Sequence, residues 1–256
     1  MWKAVGTSVA GTSHVESNVP CQDYSAYQRV VIGSAPALII AIADGAGSAR
    51  LSHVGAQEAV GNLLRIIPPG LRSVFDIDEH IAREWLNNTR IHLQRISTRE
   101  DCELRDLGST ILVAVLTDLV SFFVQIGDGA WISKRNGEYI VATWPSDGEY
   151  VNETTFLTSA NWVDSIKYEV VTGAVSAVAG FTDGLQRLAL QFDSRSVHAP
   201  FFEPLFRILR AADDGNSLIS PLKEFLVSDR VAERTNDDKT LVLACRMEPL
   251  FLCDAN

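Results

Sequence analysis

Residues 110–126 read TILVAVLTDLVSFFVQI, and the way this stretch breaks decides the fold. Two apolar runs of strand length, 110–116 and 120–126, flank Thr117-Asp118-Leu119. Runs this short, apolar along their whole length, suit strands buried on both faces. The three polar-centred residues between them suit a hairpin. Immediately downstream, 130–134 and 138–142 flank Asn136-Gly137. That dipeptide signals a two-residue hairpin turn, because both of its positions need positive φ.

Working outward, residues 37–43 (ALIIAIA), 175–182 (VSAVAGFT) and 239–246 (KTLVLACR) are further buried-strand candidates, and 2–10 suits a short strand. Residues 11–23, with Gly, Ser, Asn and Pro, read as a loop. Helical periodicity runs through 51–66 (Val54, Ala59, Leu63, Ile66) and 77–96 (Ile77, Ile81, Trp85, Leu86, Leu93, Ile96). Shorter helices suit 184–190, 201–211 and 218–227, with Pro221 near the start of the last. Trp85 and Trp131 read as core. Parallel βαβ alternation is absent, and the hairpins argue for antiparallel sheets with helices on their outer faces. The expected fold is α+β, a four-layer α-β-β-α sandwich of two antiparallel sheets flanked by helices.

The chain has 256 residues, 46% hydrophobic and 21% charged, with no Pro/Gly/Ser-rich linker and no internal repeat. That is enough to bury a large core, and a single domain over 1–256 is expected. The net charge of -10 and the lack of a Lys/Arg run argue against nucleic-acid binding. Cys21, Cys102, Cys245 and Cys253 are scattered, without zinc spacing, and read as reduced thiols. No signal peptide and no membrane span is legible. The reading is a soluble, cytoplasmic protein.

The chemistry lies in a repeated ending. Three times an apolar strand stops at Asp-Gly: Asp44-Gly45, Asp128-Gly129 and Asp183-Gly184. Asp237-Asp238 stands just before the last strand, and Asp23 ends the first loop. Asp-Gly is also ordinary turn chemistry, and Asp147-Gly148 and Asp214-Gly215 follow no apolar run. Strand ends in a packed sheet often lie near one another, however. Carboxylates converging there repel and desolvate poorly, and a divalent cation relieves both problems. All-oxygen donors suit Mg²⁺ or Mn²⁺ rather than zinc. Two such ions could share a bridging water and lower its pKa. No GxSxG, CxxxxxR or GxxxxGK[ST] motif offers a competing chemistry.

At this point the sequence resembles the metal-dependent protein phosphatases of type 2C. The resemblance is carried, in order, by Cys21-Gln22-Asp23, Ala43-Asp44-Gly45-Ala46-Gly47, Gly108-Ser109-Thr110, Ile126-Gly127-Asp128-Gly129, Phe181-Thr182-Asp183-Gly184 and Asp237-Asp238-Lys239-Thr240. The stretches 43–48 and 148–154 resemble a bacterial branch whose members often work beside a Ser/Thr kinase.

The resemblance implies the same sandwich fold and hydrolysis of phosphoserine and phosphothreonine in a phosphorylated protein. It implies two metal ions, with room for a third. Asp44 matches the aspartate that bridges two metals, and Gly45 matches a residue whose carbonyl ligates one. Asp183 and Asp237 match further ligands of the first metal. Asp128 matches, with Asp183, the holder of a third ion, and Asp23 matches a position that binds metal through water. Asp238 stands where the family often has Asn, and is either a supporting residue or an alternative ligand.

Three departures stand out. Gln22 occupies a position that is often Glu. Asn18 falls where an Arg commonly grips the substrate phosphate, leaving His14, Asn18 and Arg50 as candidates for that contact. Ala46 occupies the position of a general-acid His found in many eukaryotic members. These departures motivate a second reading, a non-catalytic module that docks a kinase or phosphoprotein. A third, a nuclease or small-molecule phosphatase, fits the acidic surface poorly where nucleic acid is concerned. Residues 143–164 match a variable flap beside the metals that is expected to select substrate.

Overall fold

The computed structural model describes residues 1–145 and 154–247. Two five-stranded antiparallel sheets stack face to face. The elements run β1 (Trp2–Val9), α1 (Thr12–Ser17), β2 (Tyr24–Ile32), β3 (Ala35–Ala43), α2 (Ser52–Ile66), α3 (Glu79–Arg99), β4 (Ile111–Leu116), β5 (Val120–Ile126), β6 (Ala130–Arg135), β7 (Glu138–Thr143) and β8 (Lys167–Thr172). Then come β9 (Val175–Phe181), α4 (Gln186–Ala189), the short pair β10 (Leu190–Gln191) and β11 (Ser196–Val197), α5 (Ala199–Ala211), α6 (Ile219–Val227), α7 (Asp229–Ala232) and β12 (Lys239–Arg246). One sheet has the order β1-β12-β9-β6-β7 and the other β2-β3-β4-β5-β8.

Period-two alternation sorts each central strand between two cores. In β3, Ala37, Ile39, Ala41 and Ala43 face a core shared with α2 and α3, while Leu38, Ile40 and Ile42 face the space between the sheets. In β12, Leu241, Leu243 and Cys245 pack toward α5 and α6, while Val242 and Ala244 join the inter-sheet layer with Trp131 and Phe123. Both sides of these strands are dry, which is why they read as unbroken apolar runs. Each buried Leu or Ile contributes about 1.5–3 kcal/mol by leaving water. The result is the α-β-β-α sandwich, with Trp85 and Trp131 buried as expected.

The Asn136-Gly137 turn has φ of 53° and 86°, and it joins β6 to β7 with Arg135 opposite Glu138. Its chemistry is the two-residue hairpin that the dipeptide announces.

The differences from the sequence reading are local. Residues 12–17 form a short helix rather than a loop; its first residue has no side-chain cap, so no capping signal marked it. The helix expected at 184–190 is a single turn, Gln186–Ala189, preceded by a 3₁₀ turn at Asp183–Leu185. Strands β2 and β8 went unread. They are the two edges of one sheet, where half-exposed, mixed-polarity residues dilute the apolar signal.

Candidate metal centre

Each aspartate is delivered by the end of an element. Asp44 follows β3, Asp128 sits between β5 and β6, and Asp183 follows β9. The first belongs to one sheet, the last to the other, and Asp128 lies where the chain crosses between them. Carboxylate oxygens of all three lie within 4.8 Å of one another. The structure therefore brings these three together.

Backbone and side chains fix Asp44 and Asp128. Thr110 clasps Asp44 from both ends: its N–H donates to the Asp44 carbonyl at 2.8 Å, and its Oγ1 accepts the Asp44 N–H at 3.1 Å. Gln125 Nε2 donates to the carbonyls of Gly127 and Gly129 at 2.9 and 2.8 Å, bracing the loop on either side of Asp128. Thr154 Oγ1 donates to Asp128 Oδ2 at 2.6 Å, and Gln186 Nε2 to its backbone carbonyl at 2.5 Å. Gly45 is hemmed in: a Cβ there would stand 2.8 Å from the Gln22 carbonyl oxygen. That carbonyl accepts the Gly45 N–H at 3.1 Å.

Asp23 is buried beside them. Its Oδ2 accepts hydrogen bonds from Thr182 Oγ1 at 2.7 Å and Thr240 Oγ1 at 2.8 Å. Asp237 is exposed, and its Oδ1 accepts the Asp238 N–H at 2.8 Å. Asp238 is 3% exposed and fully committed: Oδ1 accepts from Gly11 N–H at 2.7 Å and lies 2.8 Å from His14 Nδ1, while Oδ2 accepts from Gln22 N–H at 2.6 Å. It holds three segments together.

The other phosphate-contact candidates lie apart. Asn18 is the exposed, left-handed residue that ends α1, at φ 54°. Arg50 is exposed, and its field registers at Cys102. Neither makes a hydrogen bond to the aspartates among the described residues. Within the flap region, 146–153 lie outside the described residues, as do Asp147-Gly148, most of the 148–154 stretch, and Cys253.

The electrostatics show what the cluster lacks. Burial pushes Asp44 well above the usual carboxylate range, and the charges of Asp23, Asp183 and Asp128 push it further. Asp183 rises to about 7, first through burial and then through Asp128 and Asp237. Asp23 rises to about 8 through burial, against the pull of the Thr182 and Thr240 hydroxyls. Lys239, 1% exposed, has its pKa lowered by burial despite the nearby Asp238 and Asp237. Asp23 Oδ1 and Asp128 Oδ1 are buried with no hydrogen-bond partner among the described residues. Converging, desolvated oxygens with orphaned lone pairs are a donor set for a hard divalent cation. The residues present fit such an ion.

Thr110, Thr182, Thr240, Lys239, Gln125 and Thr154 carried no assigned role in the sequence reading. The signal was there for the threonines, since each lies in a motif that carries the resemblance. What singles them out is the carboxylate or backbone group each meets in space.

Comparison with known proteins agrees. Residues 10–227 match the family described as protein phosphatase 2C. The chain is 34% identical over 247 residues, 95% of its length and 98% of the relative's, to serine/threonine-protein phosphatase 3 of Escherichia coli K12. Among solved structures, a serine/threonine phosphatase of S. agalactiae superposes with a TM-score of 0.63 at 16% identity, covering 96% of this chain and all of that one. RsbX in complex with magnesium superposes with a TM-score of 0.58 at 15% identity, covering 95% and 94%. At such identities the structural likeness carries the fold.

Proposed function

The chain belongs to the protein phosphatase 2C family, and from that premise we propose that it hydrolyses phosphoserine and phosphothreonine in proteins with the help of Mn²⁺ or Mg²⁺. The observation that carries the metal dependence is the meeting of Asp44, Asp128 and Asp183 from both sheets. Asp44, Gly45 through its carbonyl, Asp183 and Asp237 would hold the ions, with Asp44 shared between two of them. Asp128 with Asp183 would hold a third, and Asp23 would act through water. When bound, the ions supply Lewis-acid stabilisation of the phosphoryl oxygens and activate water as the nucleophile.

The protein's own part is positional. Thr182 and Thr240 hold the Asp23 carboxylate and Thr110 holds the Asp44 backbone before any substrate arrives, and such preorganisation costs nothing during the reaction. Asp238 anchors the segment that presents Asp237. The non-catalytic docking reading is disfavoured, because a docking module gains nothing from mutually repelling buried carboxylates. One domain over 1–256, cytoplasmic location and service beside a bacterial Ser/Thr kinase complete the proposal; among the described residues no helix is long and apolar enough to cross a membrane.

The test is phosphate release from phosphoserine and phosphothreonine peptides, with and without Mn²⁺, set against nucleotide and sugar-phosphate rates. Metal-dependent turnover that favours the peptides supports the reading. No turnover with Mn²⁺ between pH 7 and 9 refutes it.

A further inference from the structure

We propose that His14, oriented by Asp238, donates the proton to the departing serine or threonine oxygen; the proposal rests on the phosphatase reading above. A serine alkoxide is a poor leaving group, so the reaction needs an acid at that atom. Ala46 has no proton to give. The Cys21 thiol is directed at the Asp23 carbonyl, 3.6 Å away, and Lys239 is 1% exposed.

The geometry around His14 is that of an oriented imidazole. Both oxygens of Asp238 already accept backbone N–H groups, from Gly11 and Gln22. The imidazole, 2.8 Å away, therefore donates its Nδ1–H to that carboxylate. Nε2 is left to face outward: the side chain is 18% exposed, and Nε2 is not among the buried polar atoms lacking a partner. A buried carboxylate behind an imidazole fixes its tautomer and ring plane. The location also fits. Ser13 donates twice to the Asn236 carbonyl, from N at 3.1 Å and Oγ at 2.7 Å, pinning α1 to the residue before Asp237. Gln22 donates to Asp238 and accepts from Gly45, which follows Asp44.

In the step itself, a water oxygen bonds to phosphorus as the bond from phosphorus to the seryl oxygen breaks. The electron pair stays on the seryl oxygen, which takes the Nε2 proton of the imidazolium form of His14, leaving a neutral ring whose Nδ1–H still rests on Asp238. The proton released by the attacking water returns to the imidazole through solvent. The products are a free hydroxyl and inorganic phosphate.

The test compares two esters on the Mn²⁺-loaded enzyme. A phosphoserine peptide needs protonation of its leaving group; 4-nitrophenyl phosphate, whose phenolate leaves unaided, does not. For His14→Gln, kcat on the peptide should fall about 100-fold or more, in line with the usual worth of a general acid. The loss should be at least about 20 times larger than on the nitrophenyl ester. Asp238→Asn should show the same imbalance, smaller in size. Mn²⁺ affinity by calorimetry and the melting temperature of His14→Gln should stay near wild type. Equal losses on both esters, no loss on the peptide, or collapse of Mn²⁺ binding would each overturn the assignment. A wild-type enzyme inert toward both esters would instead defeat the phosphatase reading, and the proposal with it.

Discussion

Asp44 follows a strand of one sheet, Asp183 follows a strand of the other, and carboxylate oxygens of the two lie within 4.8 Å of each other. Burial raises both carboxyls, and the charge of Asp183 raises Asp44 further. Two carboxylates this close cannot both ionise cheaply. The cluster is therefore a site of stored repulsion that a cation would relieve, and its consequences can be measured.

Substitution of Asp44 should separate function from stability. Asp44→Asn is expected to lose more than nine-tenths of the phosphopeptide rate, since a lost bridging charge costs several kcal/mol of transition-state stabilisation. The same variant, stripped of metal at pH 8, should melt higher than wild type, because burying an acid among other carboxylates costs stability whether it keeps its charge or takes up a proton. Retention of more than about a tenth of the rate would refute the bridging role.

The metal-free protein should lose stability as pH rises. Asp23 titrates at about 8 and Asp183 at about 7 when folded, each against 3.8 as its ordinary value. Between those limits the folded chain holds protons that the unfolded chain has released. Raising the pH through that window therefore favours unfolding. Melting of chelator-treated protein should fall from pH 5.5 to 8.5, and less steeply in Asp23→Asn. A wild-type melting temperature that rises over this range, or equal slopes, would contradict the assignment.

Thr240→Val keeps the shape of the side chain but removes the hydroxyl that donates to Asp23 Oδ2. Thr182 remains as the other donor. The expected cost is about 1–3 kcal/mol in urea unfolding. A change below about 0.5 kcal/mol would show that the hydroxyl does not hold Asp23.

Gly184 has no room for a side chain: a Cβ would stand 2.0 Å from the Asp238 carbonyl oxygen. Gly184→Ala must push the turn carrying Asp183 away from the segment carrying Asp237. We expect about 1–3 kcal/mol of destabilisation, together with a Mn²⁺ affinity at least tenfold weaker by calorimetry. Wild-type affinity would mean that these two segments do not share an ion.

The residues missed by reading are as informative as those found. Strands 111–116, 120–126 and 239–246 were legible because burial on both faces makes most of their positions apolar. Strands 24–32 and 167–172 were not, because an edge strand carries part of its surface in water. Thr182 and Thr240 are 58 residues apart and meet only because β9 pairs with β12.

By itself, the sequence determined the layers and the aspartates at their ends, since periodicity and turn chemistry act over a few neighbouring residues. It determined nothing about which oxygens remain free. That was decided by tertiary structure. Asp238 is spent on Gly11, Gln22 and His14, while Asp23 and Asp128 each keep an oxygen without a partner. A hydrogen bond between residues more than two hundred positions apart depends on how two sheets stack, and no local pattern records that.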